Sequence, residues 1–538
     1  MLSCVHDLLI QSALQRPNAV AVQIKDAAIN YQDLQQQTYT VAKGFLALGL
    51  KADERVAIYL PKVVENIQAL LACSYTHSIF VPINPVLKSP QVQHIVDDCQ
   101  VKIIITNKAR LQAIKSLLAK NSSLEVILVT DANEEELQAF TQTNAIKQRL
   151  LTWQALLILA NETGHAIKTN SASSKDTAAI LYTSGSTGKA KGVMLSHHNL
   201  VLGAQSVAQY LSLTEQDKIL TVLPLSFDYG LNQLLSCLLV GGQCILLDYL
   251  LANDVIKAIN KHQITGLAAV PPLWSQLAKA RWLDASSVRY FTNSGGVLNT
   301  SVLEQLRKVM PNAEPYLMYG LTEAFRSTYL APNMLDKKQG SMGKAIPHAK
   351  VLVLRNDGSE CDDDEVGELV HLGPLVSQGY WQDSAKTDAK FKPVAKHLCQ
   401  EFLCNKAVFS GDLVKRDSDG YLYFVSRADE MIKSSGYRIS PTEIEEQLSQ
   451  AEYINELVAF GVPDEELGQA IMVVASSTVQ EKAKTELQEA LLKQAKISLP
   501  NYMLPKEIII LDELPKNANG KIDRSKLKQG YYSQYTHS

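Results

Sequence analysis

The amino-acid sequence predicts an α/β protein in at least two parts: a large N-terminal body of parallel α/β subdomains plus a β-rich subdomain, followed by a small α+β C-terminal domain. Three observations predict it. Buried-strand patterns alternate with helical ones through the first half of the chain, the texture turns to short strands between Asp/Gly turns near Lys350, and the last ~110 residues form a distinct run of helices and strands.

The elements follow in order. MLSCVHDLLIQSALQRP has no basic leader and carries Gln and Arg inside its apolar stretch, so it reads as an amphipathic helix rather than a signal peptide. Tyr31 to Leu50 has apolar positions at helical spacing. Arg55 to Leu60 and Val101 to Thr106 read as buried strands, with helices at Val63 to Ser74 and Pro90 to Asp98 between them, which is the rhythm of a parallel sheet. That rhythm returns as strand Lys218 to Leu223, helix Leu231 to Leu239, strand Gln243 to Leu247, helix Asp254 to His262 and strand Gly266 to Val270. Polar Asn161 to Asp176 reads as a loop feeding the strand Ala178 to Tyr182. Short strands are expected at Val351 to Leu354, Gly367 to Leu372, Leu413 to Lys415 and Tyr421 to Val425. The final unit has helices at Ser440 to Gln450 and Gln480 to Ile497, strands near Ile454 to Gly461, Ala470 to Ser476 and Glu507 to Leu511, and a Gly/Lys-rich tail.

Composition excludes several classes. A chain of 538 residues is too long for one hydrophobic core. A formal net charge of -3 leaves no basic footprint for nucleic acid and no polybasic patch for a membrane. The longest apolar runs, such as Leu234 to Val240, fall short of the ~20 residues of a membrane span. Eight scattered cysteines include no CxxC pair, and the Cys399/Cys404 spacing fits no common zinc pattern, so buried thiols and a cytoplasmic location are expected.

The strongest local signal is ILYTSGSTGKAKGVMLSHHNL, Ile180 to Leu200. A buried strand ends at Tyr182, and Thr183, Ser184, Gly185, Ser186, Thr187 and Gly188 follow, then Lys189 and Lys191, with a helix starting near Ser196. Glycines let backbone N–H groups turn toward an anion, and the hydroxyls and lysines add donors and positive charge. No GxxxxGK[ST] can be read across the segment, so it is not a Walker A loop. It resembles the phosphate-binding signature of the adenylate-forming superfamily of AMP-binding enzymes: acyl-CoA synthetases, nonribosomal-peptide adenylation domains and luciferases.

Six further segments carry that resemblance in the same order. Ser294-Gly295-Gly296 is similar to the glycine pair that borders the adenine. Tyr319-Gly320-Leu321-Thr322-Glu323 matches the family's YGxTE, which implies Thr322 on the α-phosphate and Glu323 on the Mg²⁺ that accompanies ATP. Ser410-Gly411-Asp412 and Ser426-Arg427-Ala428-Asp429 match TGD and GRxD, with Ser where Thr and Gly are usual. They imply Asp412 and Arg427 at the ribose and Asp429 as a hinge. Lys433 to Ile439 resembles KxxGxRI, placing Gly436 in a pantetheine tunnel and Arg438 among the charge-neutralising groups. Leu514 to Ile522 matches the closing LPK…GK, with Lys521 as the cation that bridges carboxylate and α-phosphate. The resemblance thus implies an adenylation domain over 1–428 and a mobile C-terminal lid over 429–538.

The implied chemistry is attack of a carboxylate on the α-phosphorus of ATP, loss of pyrophosphate, and transfer of the acyl group from acyl-AMP to a pantetheine thiol. The thiol would belong to coenzyme A or to a phosphopantetheinyl carrier protein. A luciferase-type oxygenase or a non-catalytic scaffold would share much of the pattern, though the intact Glu323 and Lys521 argue against a scaffold. For the acid, Phe227 and Asp228 fit the FDxS pattern of amino-acid adenylation domains, in which the Asp meets the substrate α-ammonium. Gly230 stands where that pattern has Ser, and Leu321 where YGPTE has Pro, which leans toward acyl-CoA synthetases. Asp228 as a simple cap of the following helix stays open.

Overall fold

The computed structural model describes residues 2–87, 89–118, 123–144, 146–162, 167, 173–183, 190–400, 406–427, 432–434, 437–439, 441–449, 451, 453–464, 467–499 and 503–535. The chain divides into two compact units. The first comprises Met1–Gln339, Gly343–Val351 and His371–Val408; the second comprises Gly340–Met342, Leu352–Val370 and Phe409–Ser538. The junction expected at 428/429 falls on residues outside this description.

In the first unit the strands run in chain order as β1 (Val20–Ile24), β2 (Ala27–Asn30), β3 (Arg55–Ile58), β4 (Ile79–Pro82), β5 (Ile103–Thr106), β6 (Val126–Val129), β7 (Arg149–Thr152), β8 (Thr177–Thr183) and β9 (Lys191–Ser196). After them come β10 (Lys218–Thr221), β11 (Gln243–Leu246), β12 (Gly266–Ala269), β13 (Tyr290–Asn293), β14 (Glu314–Tyr319) and β15 (Thr328–Leu330). They form two sheets. One has the order Gly379–Tyr380, β9, β8, β4, β3, β5, β6, β7; the other runs β15, β14, β13, β12, β10, β11, β1, β2. The βαβ rhythm produced parallel pairing through both, as expected: β4, β3, β5, β6 and β7 are parallel, and so are β11, β10, β12, β13 and β14.

Strands of such sheets are buried on both faces and therefore read as short apolar runs. All four residues of β5 and of β6 are buried. The stretch Ile79–Pro82 is equally buried and lies in the sheet interior between β3 and β8, a strand beyond those expected from the sequence. The opening amphipathic helix is present as Val5–Gln15 and buries Val5, Leu8 and Leu9.

Most of the strand residues in the order Lys350–Leu354, Gly367–Leu372, Ala407–Arg416, Leu422–Arg427 belong to the second unit, the β-rich subdomain expected from the Asp/Gly turns. Its C-terminal part sets Glu456–Asp464 antiparallel to Gly468–Ser476, which is parallel to Glu507–Leu511. The helices Pro441–Leu448 and Glu481–Ser498 contribute Ile444, Leu448, Leu491 and Ala495 to a core with Val473 and Ala475 of that sheet. The Gly/Lys-rich tail is a helix, Arg524–Tyr535, whose Leu527 is buried against Val458 and Phe460 of the same sheet.

Candidate active site

Open parallel sheets collect ligands outside the carboxyl ends of their strands, at the point where strand order reverses. In the second sheet that point is β10, which pairs with β11 on one side and β12 on the other. The segments singled out in the sequence cluster at these ends. Asp228 follows β10, Gly295 follows β13, and Tyr319 ends β14 with Gly320 to Glu323 directly after it.

The turn after β14 is tightly specified. Tyr319 still pairs with Thr328 of β15, and the Ser327 amide donates to the Tyr319 carbonyl at 3.2 Å. Between them Thr322–Ala324 form a single 3-10 turn, and Phe325 takes φ 58 to bring the chain back. A Cβ on Gly320 would lie 3.2 Å from the Arg326 Cα, a tight contact that a glycine avoids. Thr322 and Glu323 are both half-buried. The Glu323 carboxylate accepts the Tyr380 hydroxyl at 2.6 Å, and its main-chain carbonyl accepts the Ser377 amide at 2.8 Å. Burial, and next the Glu323 charge, raise the Tyr380 pKa far above the ordinary phenol value, so this hydroxyl stays protonated and donates.

Tyr380 reaches Glu323 because Gly379–Tyr380 pairs antiparallel with β9. β9 also carries Lys191, whose Nζ lies 3.5 Å from the Tyr380 hydroxyl and 4.6 Å from the centre of its ring. β9 is antiparallel to β8, with Thr183 opposite Lys191. The hydroxyl-rich segment is therefore the connection of a hairpin, not a strand-to-helix loop, and the helix follows one strand later at His197 with Ser196 as its cap. Ser184, Gly185, Ser186, Thr187, Gly188 and Lys189 lie outside the described residues. Tyr380 escaped sequence reading, as a lone Gly-Tyr pair carries no chemistry until β9 brings it beside Glu323.

At the end of β13 the chain turns at Gly295, φ 82, and Asn293 Nδ2 holds the Gly296 carbonyl at 2.9 Å. A Cβ on Gly296 would meet Pro271 at 3.1 Å.

After β10 the chain passes Pro224 to Phe227 and enters the helix Asp228–Val240. Phe227 is its cap residue and stacks edge-on with Tyr229. Asp228 is 5% exposed, and one carboxylate oxygen accepts the Tyr229 amide at 2.8 Å. The other lies 3.5 Å from Nη1 of Arg326, itself 3% exposed. The cation that a buried carboxylate needs is thus supplied by the turn after β14, within the protein. Gly230, the departure from FDxS, has a steric reason: a Cβ there would sit 2.2 Å from the Pro224 carbonyl oxygen.

In the second unit Ala407–Arg416 and Leu422–Arg427 pair antiparallel with Asp412 directly opposite Arg427. Asp412 is buried, its amide donates to Ser410 Oγ at 3.0 Å, and the preceding Gly411 takes φ 74. Arg438 stands opposite Lys433 in the hairpin Ile432–Ser434/Tyr437–Ile439. Asp429 and Gly436 lie outside the described residues. Lys521 is exposed on a tight turn rather than a loose loop. Lys516 and Ile522 bridge across the base, Asn517 Oδ1 accepts the Lys521 amide at 3.1 Å, and Gly520 takes φ 76.

Comparisons with known proteins agree with this arrangement. The AMP-binding enzyme family matches residues 9–381, and its C-terminal domain matches residues 443–521. An indoleacetate–CoA ligase of Aromatoleum aromaticum is 29% identical over 523 residues, covering 95% of this chain and 95% of that protein. Gramicidin S synthase 2 of Brevibacillus brevis is 26% identical over 533 residues, 97% of this chain but 11% of the synthase. The solved structure of an o-succinylbenzoate CoA synthetase from Bacillus subtilis, in complex with its acyl-adenylate intermediate, superposes with a TM-score of 0.80 at 25% identity, covering 97% of each chain. With the family matched over most of its length and the corresponding segments at the ends of β10, β13 and β14, the chain belongs to the AMP-binding enzyme family.

Proposed function

We propose that this chain is an AMP-forming acid–thiol ligase. It activates a carboxylic acid as acyl-AMP at the expense of ATP and passes the acyl group to a pantetheine thiol of coenzyme A or of a separate carrier protein. The observation that carries the proposal is the turn after β14, where a half-buried carboxylate is held by a neutral donor, Tyr380, at the mouth of a parallel sheet.

Mg²⁺ bound with a nucleotide keeps most of its coordination for phosphate oxygens and water and needs one or two protein carboxylates. Glu323 fits that demand, and among the described residues there is no cluster of three His, Cys, Asp or Glu side chains that would cage a metal by themselves. Bound there, the ion would neutralise phosphate charge.

The residues proposed around the nucleotide divide by task. Thr183 to Lys189 cradle phosphate, Thr322 donates to the α-phosphate, and Gly295, Tyr319 and Gly320 border the base. Asp412 accepts from the ribose hydroxyls with Arg427 beside it. Lys521 and Arg438 meet the charge that builds as carboxylate and α-phosphate approach. Positioning and preorganised charge then supply most of the rate, and no protein nucleophile is required. Burial of His197 pushes its pKa down to about 4, which leaves it neutral and consistent with a structural place.

The second half-reaction is proposed to follow a swing of the C-terminal lid about Asp429 that brings Gly436 to the thiol. The described cysteines are unpaired, and no described helix is long and apolar enough to cross a membrane; both fit a proposed cytoplasmic location. ATP–pyrophosphate exchange screened over alkyl, aryl, amino and polar acids tests the reading. Acid-dependent exchange followed by thioester formation with coenzyme A or a loaded carrier is the expected result. No exchange with any class of acid, from protein that still binds ATP, would overturn it.

A further inference from the structure

The helix Ser89–Asp98 contains none of the residues assigned to the chemistry, yet its polar contacts converge on the segments that do. His94 and Asp98 are four residues apart and so share one face of that helix. A carboxylate oxygen of Asp98 accepts the Tyr182 hydroxyl, and His94 bonds through Nε2 to the Ala190 carbonyl at 2.8 Å. A carbonyl can only accept, so that ring nitrogen carries the proton. Tyr182 and Ala190 bracket Thr183 to Lys189, the segment proposed to cradle phosphate. One helix face therefore holds both of its ends.

The hold on Tyr182 is directional. Burial raises the Tyr182 pKa far above the ordinary phenol value, so the hydroxyl stays protonated and donates. The buried Cys99 thiol stands 3.2 Å from the same oxygen, and the His94 ring meets the Tyr182 ring edge-on. The preceding strand residues, Ala178 to Leu181, are apolar and buried. The contact with a carboxylate begins only where the strand reaches the phosphate segment. Apolar packing would hold a sheet together as well; a charge-assisted hydrogen bond also fixes an orientation.

The same helix end reaches the Glu323 side of the site. The Asp98 carbonyl accepts the Trp381 indole N–H at 3.0 Å, and the Trp381 amide donates to the Gly192 carbonyl at 2.8 Å. Trp381 directly follows Tyr380, whose hydroxyl donates to Glu323. The Arg55 guanidinium lies 5.3 Å from the centre of the Trp381 ring and bonds through Nε to the Cys99 carbonyl.

We infer that Asp98 and His94 are positioning residues for the triphosphate of ATP. They act through Tyr182, Ala190 and Trp381, setting the ends of the phosphate segment and the Tyr380–Glu323 pair before the nucleotide arrives. This rests on the phosphate role proposed for Thr183 to Lys189. Preorganisation lowers the ordering cost of binding, so its loss is felt by ligands that carry β- and γ-phosphates and not by AMP.

The test is calorimetric titration of ATP and of AMP, each with Mg²⁺, into parental and variant protein. Asp98→Ala is expected to weaken ATP roughly tenfold, the scale of one residue's backbone freedom returned to the segment, and to leave AMP unchanged. Asp98→Asn keeps an oxygen for the Tyr182 hydroxyl and should recover most of that affinity. His94→Ala should give a smaller ATP-selective loss, which His94→Gln, still a donor, recovers. Tyr182→Phe removes the same bond and serves if Asp98→Ala does not fold. In pyrophosphate exchange these losses should appear in the KM for ATP. Thioester formation from supplied acyl-AMP, which has no β- or γ-phosphate, should keep the parental rate.

Equal weakening of ATP and AMP, or weakening of neither, in Asp98→Ala and Tyr182→Phe would overturn the inference and reduce these contacts to packing. An ATP-selective loss in protein that exchanges pyrophosphate with no acid would uphold it while removing the ligase reading.

Discussion

Glu323 and Asp228 are two carboxylates at the same edge of one sheet, and their surroundings differ in kind. Glu323 is half-buried, takes a hydrogen bond from a neutral phenol, and has no ion pair among the described residues. Asp228 is 5% exposed and paired with Arg326. A carboxylate left accessible and uncompensated is poised for a cation that arrives from outside. One compensated internally sets the shape and polarity of the wall around it, and its charge is already spent.

The sharpest way to break this contrast is Arg326→Leu, which strands Asp228 without its cation. A loss of ~3–5 kcal/mol in unfolding free energy is expected. A double variant with Asp228→Asn should regain most of it by denaturant titration. A single variant as stable as the parent would show that the pair does not hold this wall together.

On the accessible side the expected loss is in rate. Lys521→Ala should lower adenylate formation by ~10²–10³, as loss of one preorganised donor of this kind does. Thioester formation from supplied acyl-AMP should be nearly unchanged, so an equal loss in both halves would remove Lys521 from its assigned step. Tyr380→Phe takes away the one side-chain hydrogen-bond donor to the Glu323 carboxylate among the described residues. A hydrogen bond to a charged group contributes ~1.5–3 kcal/mol, so exchange should slow by roughly 10–100-fold while the melting temperature moves little. Exchange at the parental rate would detach Tyr380 from the site. Smallest is Gly230→Ser, which restores the amino-acid pattern in sequence but pushes a Cβ onto the Pro224 carbonyl. A cost of ~1–3 kcal/mol is expected from such overpacking. A neutral effect would mean that the backbone yields there and that the departure from FDxS has no steric origin.

Legibility followed the range of the interactions involved. The parallel strands and their helices could be read because each carries its own apolar period, as in β5 and β6. The hairpin strand β9 could not be. KGVMLS looks like the tail of a glycine-rich loop, and only pairing with β8 across the loop makes it a strand. Ile79–Pro82 was missed for a related reason, as four apolar residues between two helices carry no period of their own. Among the site residues, Thr322, Glu323, Asp412 and Lys521 stood out by motif, and the fold holds the first two on one turn and Asp412 opposite Arg427.

The sequence by itself determined the fold class and the family, because ordered motifs and apolar periodicity are properties of neighbouring residues. The partner of each charge was decided by tertiary structure. Arg326 is 98 positions from Asp228, and Tyr380 is 57 from Glu323. Neither pairing is encoded in local spacing. Each exists because strand order brings distant turns to one edge of a sheet, where burial makes an unpaired charge too costly to keep.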